Sequence, residues 1–283
     1  MLFPSRSQTR LPVATLAHVT LAHVTLARVA LAGLLLAPAA PQGRAAVAVL
    51  NPSADTALIQ VAPDANMGGS GFFNAGTAGN GNRNRALMRF NLSETIPAGS
   101  IINSVSLRLD IIRQPAVDLQ PATFGLHPLF VSWGEGNKFA AEDGSPGLGA
   151  PATAGEATWL YRSLATLAWA APGGLAGTEF ALAPSSTTFV YGIGDETLFE
   201  STELLTADVQ KWVNQPELNF GWMLMTETEL IRKSARSFAS REDGSGGPIL
   251  VVDFTPVPEP GSTALLAWGM LLGGARLLRR RQG

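Results

Sequence analysis

Arg85-Ala86-Leu87-Met88-Arg89-Phe90-Asn91-Leu92 separates into two faces at period two. Ala86, Met88, Phe90 and Leu92 fall on one side at period two, and Arg85, Leu87, Arg89 and Asn91 on the other, which is the pattern of a half-buried antiparallel strand. The Pro/Gly connector Ser93-Glu94-Thr95-Ile96-Pro97-Ala98-Gly99-Ser100 follows. A second alternating run then puts Ile101, Val105, Leu107, Leu109 and Ile111 on one face. Two long strands joined in this way are predicted to be the central pair of a β-sandwich.

Working outward, a short strand is expected at 57–61, then a Gly/Asn/Ala loop at 68–81 around Phe72 and Phe73. That loop has no Gly-x-x-x-x-Gly-Lys-Ser/Thr pattern and no strand-to-helix setting, so it reads as structural rather than phosphate-binding. After a strand at 122–131, residues 134–177 form a long irregular stretch, entered through Trp133, that carries Trp159, Tyr161 and Trp169. So much aromatic surface argues for a folded segment, expected to lie over an end or edge of the sandwich with Trp159-Leu160-Tyr161 as its anchor. Strands are expected at 178–182, 187–191, 219–226, 234–240 and 248–254. One helix is expected at 202–214, where Leu205, Val209, Trp212 and Val213 make a stripe that Pro216 ends. The fold class is therefore all-β, an antiparallel β-sandwich with one short helix, and the 19 Pro and 30 Gly suit its loops.

The chain has 283 residues and no cysteine, which excludes a disulfide framework and thiolate metal sites. Its formal charge of −2 hides a segregation, because eight of the 20 basic residues lie in the two terminal segments with only one acidic residue, Glu259. Residues 45–258 keep 12 basic and 21 acidic residues, a net −9 that opposes nucleic-acid partners and anionic membrane surfaces.

Residues 1–48 read as an export signal: Arg6 and Arg10, an apolar run 11–36, and Ala-x-Ala sites at Ala37–Ala39 and Ala46–Ala48. His18 and His23, five apart within a repeat in that run, have poor metal-ligand spacing. At the other end, residues 255–283 hold Val257-Pro258-Glu259-Pro260, an apolar span at 263–278, and the basic cluster Arg279, Arg280 and Arg281. This tail resembles the PEP-CTERM sorting signal of exopolysaccharide-producing Gram-negative bacteria. The resemblance implies recognition of Pro258, Glu259 and Pro260 by an exosortase. The physics agrees, since Arg279–Arg281 would stay cytoplasmic and the apolar span is shorter than the ~20 residues of a stable crossing. The expected itinerary is export, an inner-membrane intermediate, then periplasm, outer surface or extracellular matrix.

A second resemblance covers residues 50–254. Asn82-Arg83-Asn84-Arg85-Ala86-Leu87-Met88-Arg89-Phe90-Asn91-Leu92, Ile96-Pro97-Ala98-Gly99 and Ser104-Val105-Ser106-Leu107-Arg108-Leu109 resemble the start of DNRLRE domains. Ser132-Trp133-Gly134-Glu135-Gly136, Ala157 to Arg162, Trp169 with Pro172-Gly173-Gly174, Asp208 to Val213, Asn219 to Trp222 and Phe238 to Glu242 extend the match. It implies a jelly-roll-like module, related to carbohydrate-binding modules and without enzymatic activity of its own.

Searched for chemistry, the body 50–254 offers one histidine, His127, and no Gly-x-Ser-x-Gly elbow. Glu135, Glu142, Asp143, Asp195 and Glu196 in expected loops supply carboxylates that a hydrolase or lyase could use, although their separation is not readable. Oxygen-rich loops also leave a structural calcium ion open, without EF-hand spacing to place it. The leading expectation is an exported, non-catalytic module that binds extracellular polysaccharide through Trp133, Trp159, Trp169, Arg85, Arg89 and Arg236. Ion pairing is the competing use of the arginines, and a purely structural matrix component is a further reading.

Overall fold

The computed structural model describes residues 43–139, 147–244 and 246–257. Helix formation is local. In α1, Glu203–Asn214, Thr202 caps the N-terminus by accepting the Leu205 N–H at 3.0 Å, Glu203 sits in the first turn and Lys211 in the last. Leu205, Val209, Trp212 and Val213 are its buried face, each contributing about 1.5–3 kcal/mol of burial. Among the described residues no helix is long and apolar enough to cross a membrane.

The rest of the described chain is organised by strands: β1 Ala46–Leu50, β2 Pro52–Ile59, β3 Ala65–Asn66, β4 Phe72–Thr77, β5 Arg83–Phe90, β6 Ile101–Leu109, β7 Ile111–Arg113 and β8 Ala122–Pro128. Then come β9 Ala150–Pro151, β10 Tyr161–Ser163, β11 Leu167–Ala168, β12 Ser186–Val190, β13 Thr197–Phe199, β14 Trp222–Thr226, β15 Arg236–Ala239 and β16 Ile249–Thr255. The ladders between them are antiparallel. One sheet has the order β1-β16-β6-β13, and the larger runs β12-β8-β14-β5-β4-β15-β7 with β2 also on β5. The expectation of a mostly β protein with antiparallel sheets and one helix holds.

Two expectations need correction. β5 and β6 are not a pair: β5 lies in the large sheet beside β2 and β14, and β6 in the small sheet between β16 and β13. The connector between them, with Leu92 and Ile96 buried in the core, crosses from one sheet to the other instead of closing a hairpin. Nor is β5 half-buried. Its even residues Ala86, Met88 and Phe90 join Val105, Leu107, Leu109, Phe199, Leu250 and Val252 of the small sheet in the main core. Its odd face is covered as well. Leu87, with Leu58 of β2 and Met223 of β14, packs against Leu129, Trp133, Ala157, Trp159, Trp169 and Phe180 in a second core. The irregular stretch thus covers a face of the large sheet, not only its end.

Strands β1, β3, β4, β9, β10, β11 and β13 are not among those expected from sequence, whereas Phe180 makes only isolated bridges where a strand is expected. β1 is hidden in the expected export segment, although Ala46 to Leu50 pair with Phe254 to Leu250 of β16. Gly221 has φ +79°, and a Cβ there would lie 1.9 Å from the Met88 carbonyl oxygen; the close approach of β14 to β5 therefore requires glycine. Residues 43–257 form one compact unit. The remaining parts of the expected export signal, Pro258, Glu259 and Pro260, the span 263–278 and Arg279 to Arg281 lie outside the described residues.

Candidate functional site

The aromatic and basic residues singled out from sequence do come together, but with one another. Trp133, Trp159 and Trp169 are 6%, 3% and 5% exposed. Trp133 Nε1 donates to the Phe220 carbonyl at 2.8 Å and Trp169 Nε1 to that of Thr158 at 2.9 Å. Arginines of β5 cover the rings: Arg83 and Arg85 stand 5.4 and 5.6 Å from the Trp159 ring centroid, and Arg89 stands 5.6 Å from that of Trp133. These indoles present no open face for stacking. They anchor the second core.

Arg85 is buried and forks onto Glu229, Nε to Oε1 at 2.8 Å and Nη2 to Oε2 at 2.7 Å, while Nη1 donates to the Gly173 carbonyl at 2.8 Å. The shared face of Arg85 and Arg89 is legible from parity; the partner Glu229, 144 residues away, is not. Arg89 also lines a notch of about 350 Å³ with Trp212 and Asn219, whose Oδ1 is buried without a hydrogen-bond partner among the described residues. Arg236 is 1% exposed, and its Nη atoms donate to the carbonyls of Ser234, Ala235, Gln120 and Tyr191. Its Nε has no partner among the described residues. Burial pulls the Arg236 pKa down and the Asp195 carboxylate opposes that pull.

Asp195 accepts the N–H groups of Tyr191 and Gly192 at 3.2 and 2.9 Å, Glu196 is exposed, and Glu142 and Asp143 lie outside the described residues. His127 is buried between the Ala181 carbonyl, 2.9 Å from Nδ1, and Glu227, 3.0 Å from Nε2, which is a structural setting.

Glu135 belongs to the one group of metal-competent side chains found among the described residues. Its carboxylate, Asp55 and Glu242 bring ligand atoms within 4.8 Å of one another. Arg241 sits among them: Nε lies 2.7 Å from Glu135 and 2.8 Å from Glu242, and its backbone N–H donates to Asp55 Oδ2 at 2.8 Å. Glu135 also accepts the Asp55 N–H at 2.9 Å. Burial pushes the Asp55 carboxyl up to about 8, against the Arg241 hydrogen bond and with the help of Glu242 and Glu135. Three carboxylates suit a hard cation, and the Arg241 guanidinium lying among them offsets one of their charges.

An open site lies elsewhere, at the β4–β15–β7 edge of the large sheet. Strand pairing sets Arg113 opposite Ser237 and Ser237 opposite Asn74, so the three share a row on one face. Ser237 Oγ donates to Asn74 Oδ1 at 2.7 Å, and Asn74 Nδ2 to the Gly147 carbonyl at 3.1 Å. The Arg113 guanidinium lies 4.3 Å from the Phe72 ring centroid. This row lines a cavity of about 390 Å³ with Asn82, Asn84, Gln114 and Arg236. Segment 190–193 borders it, because Tyr191 accepts from Arg236 and the Ile193 N–H donates to Gln114 Oε1 at 2.7 Å. Tyr191 is 58% exposed, and Phe189, two residues earlier on the same side, 66%.

Of the binding residues expected from the sequence, only Arg236 reaches this cavity. Alternation in 186–191 is a usable signal for the outward Phe189 and Tyr191; the asparagines are masked by the glycine-rich loop around them. Compared with known proteins, the chain matches no family model and no curated protein.

Proposed function

We propose that this chain is an exported cell-surface or matrix protein whose jelly-roll-type sandwich binds extracellular polysaccharide without acting on it. The observation that carries the binding is the β4–β15–β7 cavity. Its amide and guanidinium donors answer the hydroxyl groups of a sugar, and the exposed residue Tyr191, whose carbonyl accepts from Arg236, stands in the bordering segment. In this reading the sugar is held away from Trp133, Trp159 and Trp169, which pack in the second core. The export and sorting half rests on the terminal segments. In it the 263–278 span halts the chain with Arg279–Arg281 inside, and an exosortase cuts at Pro258-Glu259-Pro260.

A glycan array run with product analysis tests the binding half. Retention without product is the expected result. Released fragments would replace it with a hydrolase or lyase working through carboxylates, and neither retention nor product would leave a structural matrix component. For the sorting half, replacing Pro258-Glu259-Pro260 by alanines should leave export intact and the protein uncut in the inner membrane. Wild-type surface protein that still contains peptides through Arg276 would refute processing.

A further inference from the structure

We infer that the β4–β15–β7 cavity selects saccharides that carry an anionic group, a carboxylate or a sulfate ester, with Arg113 as the residue that reads the charge. This rests on the polysaccharide-binding reading and narrows it.

The first ground is the charge of the lining. Residues 45–258 carry a net −9, yet the cavity is lined by two arginines and no carboxylate. The second is that neither guanidinium is neutralised. Among the described residues no Asp or Glu oxygen lies within 4.0 Å of Arg113 or Arg236, as is true also of Arg44, Arg89, Arg162 and Arg232, whereas Arg83, Arg85, Arg108 and Arg241 have such a partner. Arg236 is satisfied by carbonyls alone, which solvate its charge without cancelling it, and its Nε is left unpartnered among the described residues. Asp195, whose charge acts on Arg236 from beyond ion-pair distance, is engaged with the Tyr191 and Gly192 N–H groups.

The third is division of labour. Arg113 is exposed, makes no side-chain hydrogen bond among the described residues, and is held over Phe72, so its fork is pre-placed yet free to meet an oxyanion. The Asn82 amide and Gln114 Nε2 remain to bond hydroxyls, whereas Asn84 Nδ2 donates to the Gly76 carbonyl at 3.4 Å and Gln114 Oε1 accepts the Ile193 N–H at 2.7 Å. At about 390 Å³ the cavity is at the small end for ligand sites, so it seats a short stretch of a chain, not a long one.

The test uses the full chain, purified in a polyoxyethylene detergent, and two matched probe pairs: polygalacturonate against its methyl ester, and dextran sulfate against dextran. Within at least one pair the charged member should bind about tenfold or more tighter, as expected of a charge-assisted contact, and added salt should erode the gap. Preference for polygalacturonate alone assigns a carboxylate, for dextran sulfate alone a sulfate ester. Arg113→Gln should remove the gap and Arg108→Gln, on the small sheet, should keep it; thermal unfolding of both variants checks that they fold. Equal binding of charged and neutral members, or a gap unaltered in Arg113→Gln, overturns the inference and leaves polysaccharide binding standing. Binding to neither pair nor to any glycan of the array overturns the reading beneath it.

Discussion

Replacing Asp55 by Asn should make the folded unit more stable at neutral pH, the opposite of the usual result for a buried polar residue. The Asp55 carboxyl is 1% exposed, faces Glu135 and Glu242, and is pushed up to about 8 in the folded chain. In an unfolded chain an aspartate titrates near ~3.9. A carboxyl raised in this way costs nothing below pH ~4, where both states hold the proton. As pH rises from there the unfolded state releases its proton and the folded state keeps it, so stability falls. The slope is about 1.4 kcal/mol per pH unit until folded Asp55 itself ionises. Between pH 5 and pH 7 the wild type should lose roughly 2–3 kcal/mol relative to Asp55→Asn. Asparagine keeps an oxygen for the Arg241 N–H and offers Nδ2 to the carboxylates, imitating the protonated acid. Glu242 is also raised, chiefly by burial, but it is common to both proteins and cancels in the difference. Urea unfolding of residues 43–257 at pH 5, 6 and 7, followed by tryptophan fluorescence, measures the gap. A gap that does not widen with pH refutes the buried, protonated Asp55.

Glu229→Gln should destabilise the unit by about 3–5 kcal/mol, because it leaves the buried Arg85 guanidinium without its carboxylate. The pair Arg85→Met with Glu229→Leu should recover much of that loss, and a single-variant effect within 0.5 kcal/mol in urea, about the noise expected of a surface change, would refute the burial argument. On the proposed export, the mature chain should begin upstream of Ala46. Cleavage after Ala48 would strip the pairs Ala46 to Phe254, Val47 to Asp253 and Ala48 to Val252 from the edge of the small sheet. N-terminal sequencing that finds Val49 first would contradict this.

The sequence by itself determined the local geometry. Period-two alternation in 85–92 and 101–111 needs only the pleat of a strand, and the Leu205-Val209-Trp212-Val213 stripe with Pro216 needs only the helical repeat. Both therefore appear in the structure at nearly the expected places. What alternation cannot carry is the identity of the neighbour. β1 pairs with β16 some 200 residues later, and β5 finds β14 rather than β6; such choices are made by which faces fit across the finished core. The same limit governs the arginines. Parity placed Arg85 and Arg89 together, but a charged strand face looks the same in sequence whether it meets water or a layer of indoles. Only the fold of the 129–182 segment buried Trp133 and Trp159 beneath guanidinium groups and moved the open polar surface to Arg113, Asn74 and Tyr191. Those residues converge from separate strands and loops, so no spacing along the chain could have announced them.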